Sequence, residues 1–319
     1  CLRRVVTHLR EEIIALGGEI HFGHKLSAVH LRGGAVRGVT VSGQRLSTKC
    51  LILAVGHSAR DTVQMLHGLG VEMQPKPFAI GTRIEHPVGF INEVQYGERA
   101  ARILPAADYK LTHRHKGLGI YSFCMCPGGY VVCASSEPGG QVTNGMSRYA
   151  RDGSHSNSAI VVGVAPEVLG LSSPLDAIAY QRGLELKAFH AGGGGYFAPA
   201  QRAADWVRGR QAHDLPETTY RPGVTPSRLD DVFPDFVAEA IKAGLVKFDR
   251  IMPGFIEKGV CIGLESRTSS PVRLLRDVNC ESVSTRGLYL LGEGAGYAGG
   301  IMTCARDAVR FARLVVPRD

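Results

Sequence analysis

The chain has 319 residues, enough for one large domain or two ordinary ones, and its 44% hydrophobic and 21% charged residues are those of a soluble globular protein. No apolar run reaches the roughly 18 residues that a membrane span needs, so a membrane is not an expected partner. The net charge of +8 comes from 37 Lys and Arg against 29 Asp and Glu, but the basic residues are scattered rather than gathered into the dense footprint that nucleic-acid binding requires.

Residues 3–16 carry apolar positions at helical spacing, and Gly17-Gly18 stops the helix. The first residue is Cys and the opening already reads as helix, so the chain reads as starting mid-protein. Strands are expected over 19–31, over 35–41 and within 42–56, with Gly33-Gly34 as a turn. The last of these, Cys50 to Val55, is a continuous apolar run, the pattern of a strand buried on both faces. Gly56, His57 and Ser58 follow at its carboxyl end, the edge where open α/β sheets place their ligands. A helix then runs to about Leu69, with Ser58 or Asp61 as its cap.

Pro75-Lys76-Pro77 breaks this character. Strands are expected over 78–86, 119–126, 130–136 and 159–164, and helices over 174–191 and 233–245. Gly-rich turns separate them, among them Pro127-Gly128-Gly129, while the Pro- and charge-rich residues 201–230 read as surface loops. After residue 256 the α/β pattern returns and ends in strand, Gly-rich turn and helix, the helix ending near Val316. The expected organisation is one α/β domain in two pieces, 1–76 and 256–319, with an α+β substrate domain, 77–255, inserted between them.

Gly294-Ala295-Gly296-Tyr297-Ala298-Gly299 fits G-x-G-x-x-G, between a strand and a helix. A complete Rossmann unit needs a further strand with an acidic residue about 20 positions on, and the sequence ends before one. The five glycines at 292, 294, 296, 299 and 300, together with Glu293, fit a two-part flavin site better. There an acid at the strand end bonds the ribityl hydroxyls, and the helix beginning at Gly300 and Ile301 points its positive end at the flavin. A left-handed Gly-rich turn without a ligand is the alternative.

The runs at 55–62, 76–87, 106–112, 121–132, 144–147, 265–273 and 292–301 also resemble, in order and over nearly the whole chain, a family of uncharacterised FAD-dependent dehydrogenases. The resemblance implies a glutathione-reductase-like FAD fold, that is, an FAD/NAD(P)-binding-like split α/β domain with an insertion. It also implies FAD as cofactor, with an amino-terminal G-x-G-x-x-G unit that would precede Cys1. Ser266 stands where that family usually has Thr.

The cofactor-binding candidates are therefore Gly56, His57, Ser58, Arg267, Gly292, Glu293, Gly294, Gly296, Gly299, Gly300 and Ile301. Arg267 is expected to face the flavin or an acidic substrate, the alternative being a surface salt bridge. Cys124 and Cys126 would share one face of a strand, where C-x-C does not close an unstrained disulfide, and they read as packed thiols. The eight cysteines, at 1, 50, 124, 126, 133, 261, 280 and 304, are read as free thiols in a reducing compartment such as the cytoplasm. No spacing indicates a metal site. His86, His113, His115 and His155 are acid/base candidates at loops or strand ends, and Tyr109-Lys110 resembles a reactive pair; no catalytic residue is singled out. The expected activity is flavin-mediated transfer of hydride or electrons to or from a small-molecule substrate, with a nicotinamide or protein electron donor. Two alternatives stay open: a flavin-less remnant acting as a binding module, and a flavin-dependent RNA-modifying enzyme.

Overall fold

The computed structural model describes residues 2–211 and 213–315, so Cys1 and Val316 lie outside the described residues. In chain order the elements are α1 (Leu2–Ala15), β1 (Leu26–Arg32), β2 (Ala35–Val41), β3 (Gln44–Ser47), β4 (Leu51–Leu53), α2 (Arg60–Gly68), β5 (Met73–Pro75), β6 (Phe78–Pro87), α3 (Val88–Tyr96), α4 (Glu98–Ala101), β7 (Thr112–His115) and β8 (Leu118–Cys133). There follow β9 (Thr143–Ser147), β10 (His155–Val164), α5 (Pro174–Ala191), β11 (Ala198–Arg202), α6 (Ala203–Val207), β12 (Val224–Pro226), α7 (Asp235–Ile251), α8 (Phe255–Lys258), β13 (Val260–Glu265), β14 (Val272–Leu274), β15 (Leu288–Leu290) and α9 (Ile301–Val315). Among the described residues no helix is long and apolar enough to cross a membrane.

The chain divides into two units. Unit 1 holds residues 1–73, 274–295 and 301–319; unit 2 holds 74–273 and 296–300. The first division falls between Met73 and Gln74. The return does not fall at 255/256 but at 273/274, because β13 is hydrogen-bonded between β11 and β6 inside the large sheet of unit 2. A further division falls inside the Gly-rich turn, between Ala295 and Gly296.

Unit 2 is built on an eight-stranded mixed sheet in the order β12-β11-β13-β6-β10-β8-β7, with β9 added to β8. β6 and β10 pair antiparallel in unbroken register, from His155 opposite Pro87 to Val164 opposite Phe78. Partners in such a pair share a face. One face therefore carries Phe78, Ile80 and Ile84 with Val164, Val162 and Ile160, and it joins Trp206, Phe248 and Phe255 in the main core. The opposite face carries Arg83, Glu85 and Asn157, all buried. α5 begins with a capping box: Leu175 N–H donates to Ser173 Oγ at 3.2 Å, and Ser173 N–H to Asp176 Oδ2 at 3.1 Å, with Pro174 in the first turn.

Two expectations for this unit are corrected. The expected strands 119–126 and 130–136 merge into one strand, β8, which runs through Pro127-Gly128-Gly129 without turning and ends at Cys133. Residues 201–230 are not all loop, since the end of β11, α6 and β12 fall there.

Unit 1 holds the antiparallel β1-β2-β3 sheet and the parallel pair β4-β15. The expected two-sided burial of residues 50–55 is corrected. β4 spans three residues, its partner is β15, and Leu53 is buried while Ile52 is exposed. α2 is likewise not capped by a side chain. Ala59 holds the cap position, and Asp61 accepts from Thr62 N–H at 2.9 Å and pairs with Lys25 at 2.6 Å.

Candidate functional site

β4 and β15 run parallel, Leu288 opposite Leu51 and Leu290 opposite Leu53, so both carboxyl ends leave the pair at the same edge. The backbone keeps the register past the strands: Leu291 N–H donates to Leu53 O at 2.9 Å and Gly294 N–H to Val55 O at 3.0 Å. Gly294 is required by this approach. A Cβ there would lie 2.4 Å from Val55 O and 2.9 Å from Gly56 O. Gly292 has φ +77°, in the left-handed region that favours glycine.

The turn brings His57 against Glu293. His57 Nδ1 donates to Glu293 Oε1 at 2.9 Å, with side chains 18% and 24% exposed. That bond places the ring proton on Nδ1, so in the neutral imidazole Nε2 is an acceptor. Nε2 is buried and has no partner among the described residues. Each residue is legible in the sequence as a strand-end candidate; their pairing across 236 positions is not.

A second pair holds this edge. Arg276 donates Nη1 to Asp307 Oδ2 at 2.8 Å and Nη2 to Asp307 Oδ1 at 2.7 Å, and its Nη1 also reaches Leu290 O at 2.5 Å. Gly292 N–H donates to the same Asp307 Oδ2 at 2.8 Å. The Arg276 hydrogen bond holds the Asp307 carboxyl below its ordinary value, against burial that raises it. Sequence reading passes over both residues. The available signal is that Asp307 precedes Phe311 by one helical turn, and these two are the buried residues of α9.

The other candidates are placed as follows. Gly56, Ser58 and Ile301 belong to unit 1, and the space where a side chain would begin at Gly56 is open to 4 Å. Gly296, Gly299, Gly300 and Arg267 belong to unit 2. Gly296, at φ +84°, packs on Val272 O, and the Arg273 guanidinium lies 5.2 Å from the Tyr297 ring centre. Arg267 is buried and its fork is taken. Nε and Nη2 donate to Glu185 Oε1 and Oε2 at 2.8 Å each, Nη2 to Glu137 Oε2 at 2.9 Å, and Nη1 to Ser136. The expectation that Arg267 faces an anionic ligand is thus replaced by an internal ion pair with Glu185, which is itself fully buried.

The acid/base candidates also settle into specific surroundings. His86 stands at the end of β6, as a strand-end candidate should, but wholly buried, and its Nε2–H donates to Phe255 O at 2.8 Å. Burial lowers its pKa to about 4. Tyr109 is buried against Ser158 Oγ at 2.8 Å, and burial pushes its phenol up, so it does not form a reactive pair with exposed Lys110. His115 lies 3.5 Å from Glu239. His155 lines a cavity of about 190 Å³ with Glu85, Arg202 and Lys258.

Tested against FAD, the strand-end residues fit. A buried ring nitrogen lacks a protein partner, a carboxylate stands beside it, and Gly56 leaves open space at the same edge. The N–H groups of Gly292 and Gly294 do not contribute, because Asp307 and Val55 already hold them. Among the described residues no group of three or more His, Cys, Asp and Glu is placed to hold a metal ion.

An uncharacterized protein of Clostridium beijerinckii is 45% identical over 323 residues, which is 99% of this chain and 61% of that protein. The chain therefore spans under two thirds of that relative's length. Among solved structures, an oxidoreductase from Methanosarcina mazei is 13% identical over 97% of this chain and 53% of its own, with a TM-score of 0.35. CtdE in complex with FAD is 11% identical over 96% and 57%, also with a TM-score of 0.35. Likenesses this distant carry nothing across. Residues 77–268, well over half of the chain, match the family described as FAD-dependent protein, C-terminal domain-like; the chain belongs to that family, and FAD is its cofactor.

Proposed function

We propose that the protein is an FAD-dependent oxidoreductase and that the paired strand ends of unit 1 hold the middle of its flavin. The observation that carries this reading is the His57–Glu293 pair with its unpartnered, buried Nε2. Flavin, when bound, supplies hydride or electron transfer at N5. The Glu293 carboxylate accepts from ribityl hydroxyls, and His57 Nε2 accepts from another hydroxyl of the same chain. Gly56 and Ser58 line the approach, and Ile301 opens the helix whose positive end favours charge on the reduced ring. Arg276 and Asp307 position the turn by holding Leu290 O and Gly292 N–H. The substrate in this reading is a small molecule, and the electron partner a nicotinamide or a protein donor.

The test is flavin retention by the complete protein. The purified protein should show flavin absorption bands. Glu293→Gln combined with His57→Ala should weaken FAD binding at least about tenfold, the loss expected for charged hydrogen bonds to a ligand. A folded protein that is colourless and takes up no added FAD would overturn the proposal.

A further inference from the structure

β8 carries an irregularity that the flavin reading does not use. Opposite β10, Phe123 pairs with Ala159, Cys126 with Asn157 and Gly129 with His155. Each step places three residues of β8 against two of β10, so two bulges follow one another. Cys124 sits in the first at φ 46°, a left-handed conformation that a residue with a side chain rarely adopts. The extended backbone assumed from the sequence does not hold there, and the objection to a Cys124–Cys126 bond falls with it. Of the two thiols, Cys124 is exposed and Cys126 buried.

The surroundings are charged. Arg83, wholly buried, donates Nε to Glu265 Oε2 at 2.7 Å and Nη2 to Glu265 Oε1 at 3.2 Å. Its Nη1 faces the cysteines, donating to Cys124 O at 2.8 Å and to Asn157 Oδ1 at 2.9 Å, with Cys126 Sγ at 3.8 Å. Cys126 Sγ also donates to Cys124 O at 3.3 Å. Asn157 Nδ2, fully buried in the same cluster, has no partner among the described residues. Cys126 first, and after it the Arg83 charge, hold the Cys124 thiol below its ordinary range although burial pushes it up. The titratable groups facing Cys124 are Arg83 from β6, Cys126 from β8 and Glu265 from β13.

We propose that Cys124 and Cys126 form a thiol–disulfide exchange site whose substrates are small disulfides, with Arg83 as a positioning residue. The Cys124 thiolate attacks one sulfur of the disulfide; the Cys124–substrate S–S bond forms, the substrate S–S bond breaks, and one thiolate leaves. The Cys126 thiol then passes its proton to the departing thiolate and attacks the Cys124 sulfur, closing the Cys124–Cys126 bond and releasing the second thiolate. The substrate is reduced by two electrons and the pair oxidised by two. The Cys124 side chain is reachable from solvent, the Cys126 thiol is not, and that fixes which one attacks first.

The test uses 5,5′-dithiobis(2-nitrobenzoate), an aromatic disulfide, on the full chain at neutral pH, with peptide mapping. Cys124 should react at least about tenfold faster than exposed Cys50 or Cys133. The wild type should end with Cys124 joined to Cys126 and no aryl group retained. Cys126→Ser should stop at a stable mixed disulfide on Cys124, and Cys124→Ser, at an exposed position, should lose the fast phase. Arg83→Lys should slow Cys124 toward the Cys50 rate while circular dichroism stays native. A Cys124 rate equal to that of Cys50, or aryl label retained on Cys124 in the wild type, would sink the proposal.

Discussion

The two units spend similar residues in opposite ways. In unit 2, β6 is buried at every residue but Pro87, and Trp206, Phe248 and Phe255 are fully enclosed. In unit 1, α1 buries no residue, and Leu2, Val6, Leu9 and Ile14 are each more than half exposed. α9 turns inward only at Asp307 and Phe311. An amphipathic pattern therefore states that a helix has an apolar face, not that the face is covered. In unit 1 the enclosed side chains, among them Val36, Leu66, Leu288 and Leu290, come from the strands and α2, and α1 adds none.

The contrast can be broken by experiment. Phe248→Ala should cost about 4 kcal/mol, read as a lowered denaturant midpoint for unit 2, since it empties a fully enclosed site. Acid should separate the units next. His86 has its folded pKa lowered to about 4 from 6.5, so the unfolded chain takes up a proton that the native one refuses. Its contribution is complete above pH 6.5 and is lost as pH falls toward 4, about 3 kcal/mol in all. Asp307, whose folded pKa lies below 3.8, loses its contribution only below that value. Hydrogen exchange followed from pH 7 to 4 should show this contribution fading in β6 and β10 while the bond at Gly292 N–H keeps its protection. The smallest effect belongs to α1. Leu9→Lys should change stability by less than about 0.5 kcal/mol, because that side chain is already 60% exposed. A loss of 2 kcal/mol or more in a thermal melt would mean the α1 face is packed and the contrast is wrong.

Elements with strong local signals were legible in the sequence. Residues 174–191 carry their own capping box, and residues 78–86 their own apolar run, so α5 and β6 stand where expected. β8 was not, because Pro-Gly-Gly is a turn signal in isolation and becomes a bulge only when β9 and β10 flank it. The return at 273 was hidden for a related reason. β13 joins β11 and β6, strands more than fifty residues away, and no periodicity in residues 256–273 reports that. At the site, Gly294 and Glu293 could be chosen from the strand–turn–helix pattern. Arg267 could not be assigned correctly, since its partner Glu185 lies 82 positions earlier on α5. Arg83 leaves a trace only as a charge inside a run of buried residues, which demands a partner without naming it.

The paired bulges in β8 constrain how the gene can change length. Removing one codon between Phe123 and Gly129 would slide every later side chain of the strand to the other face, putting Val131 into the position of a neighbour. Insertions and deletions tolerated over evolutionary time are therefore expected in exposed connections such as 102–105 or 148–152, and this seven-residue stretch should keep its spacing even where its letters drift.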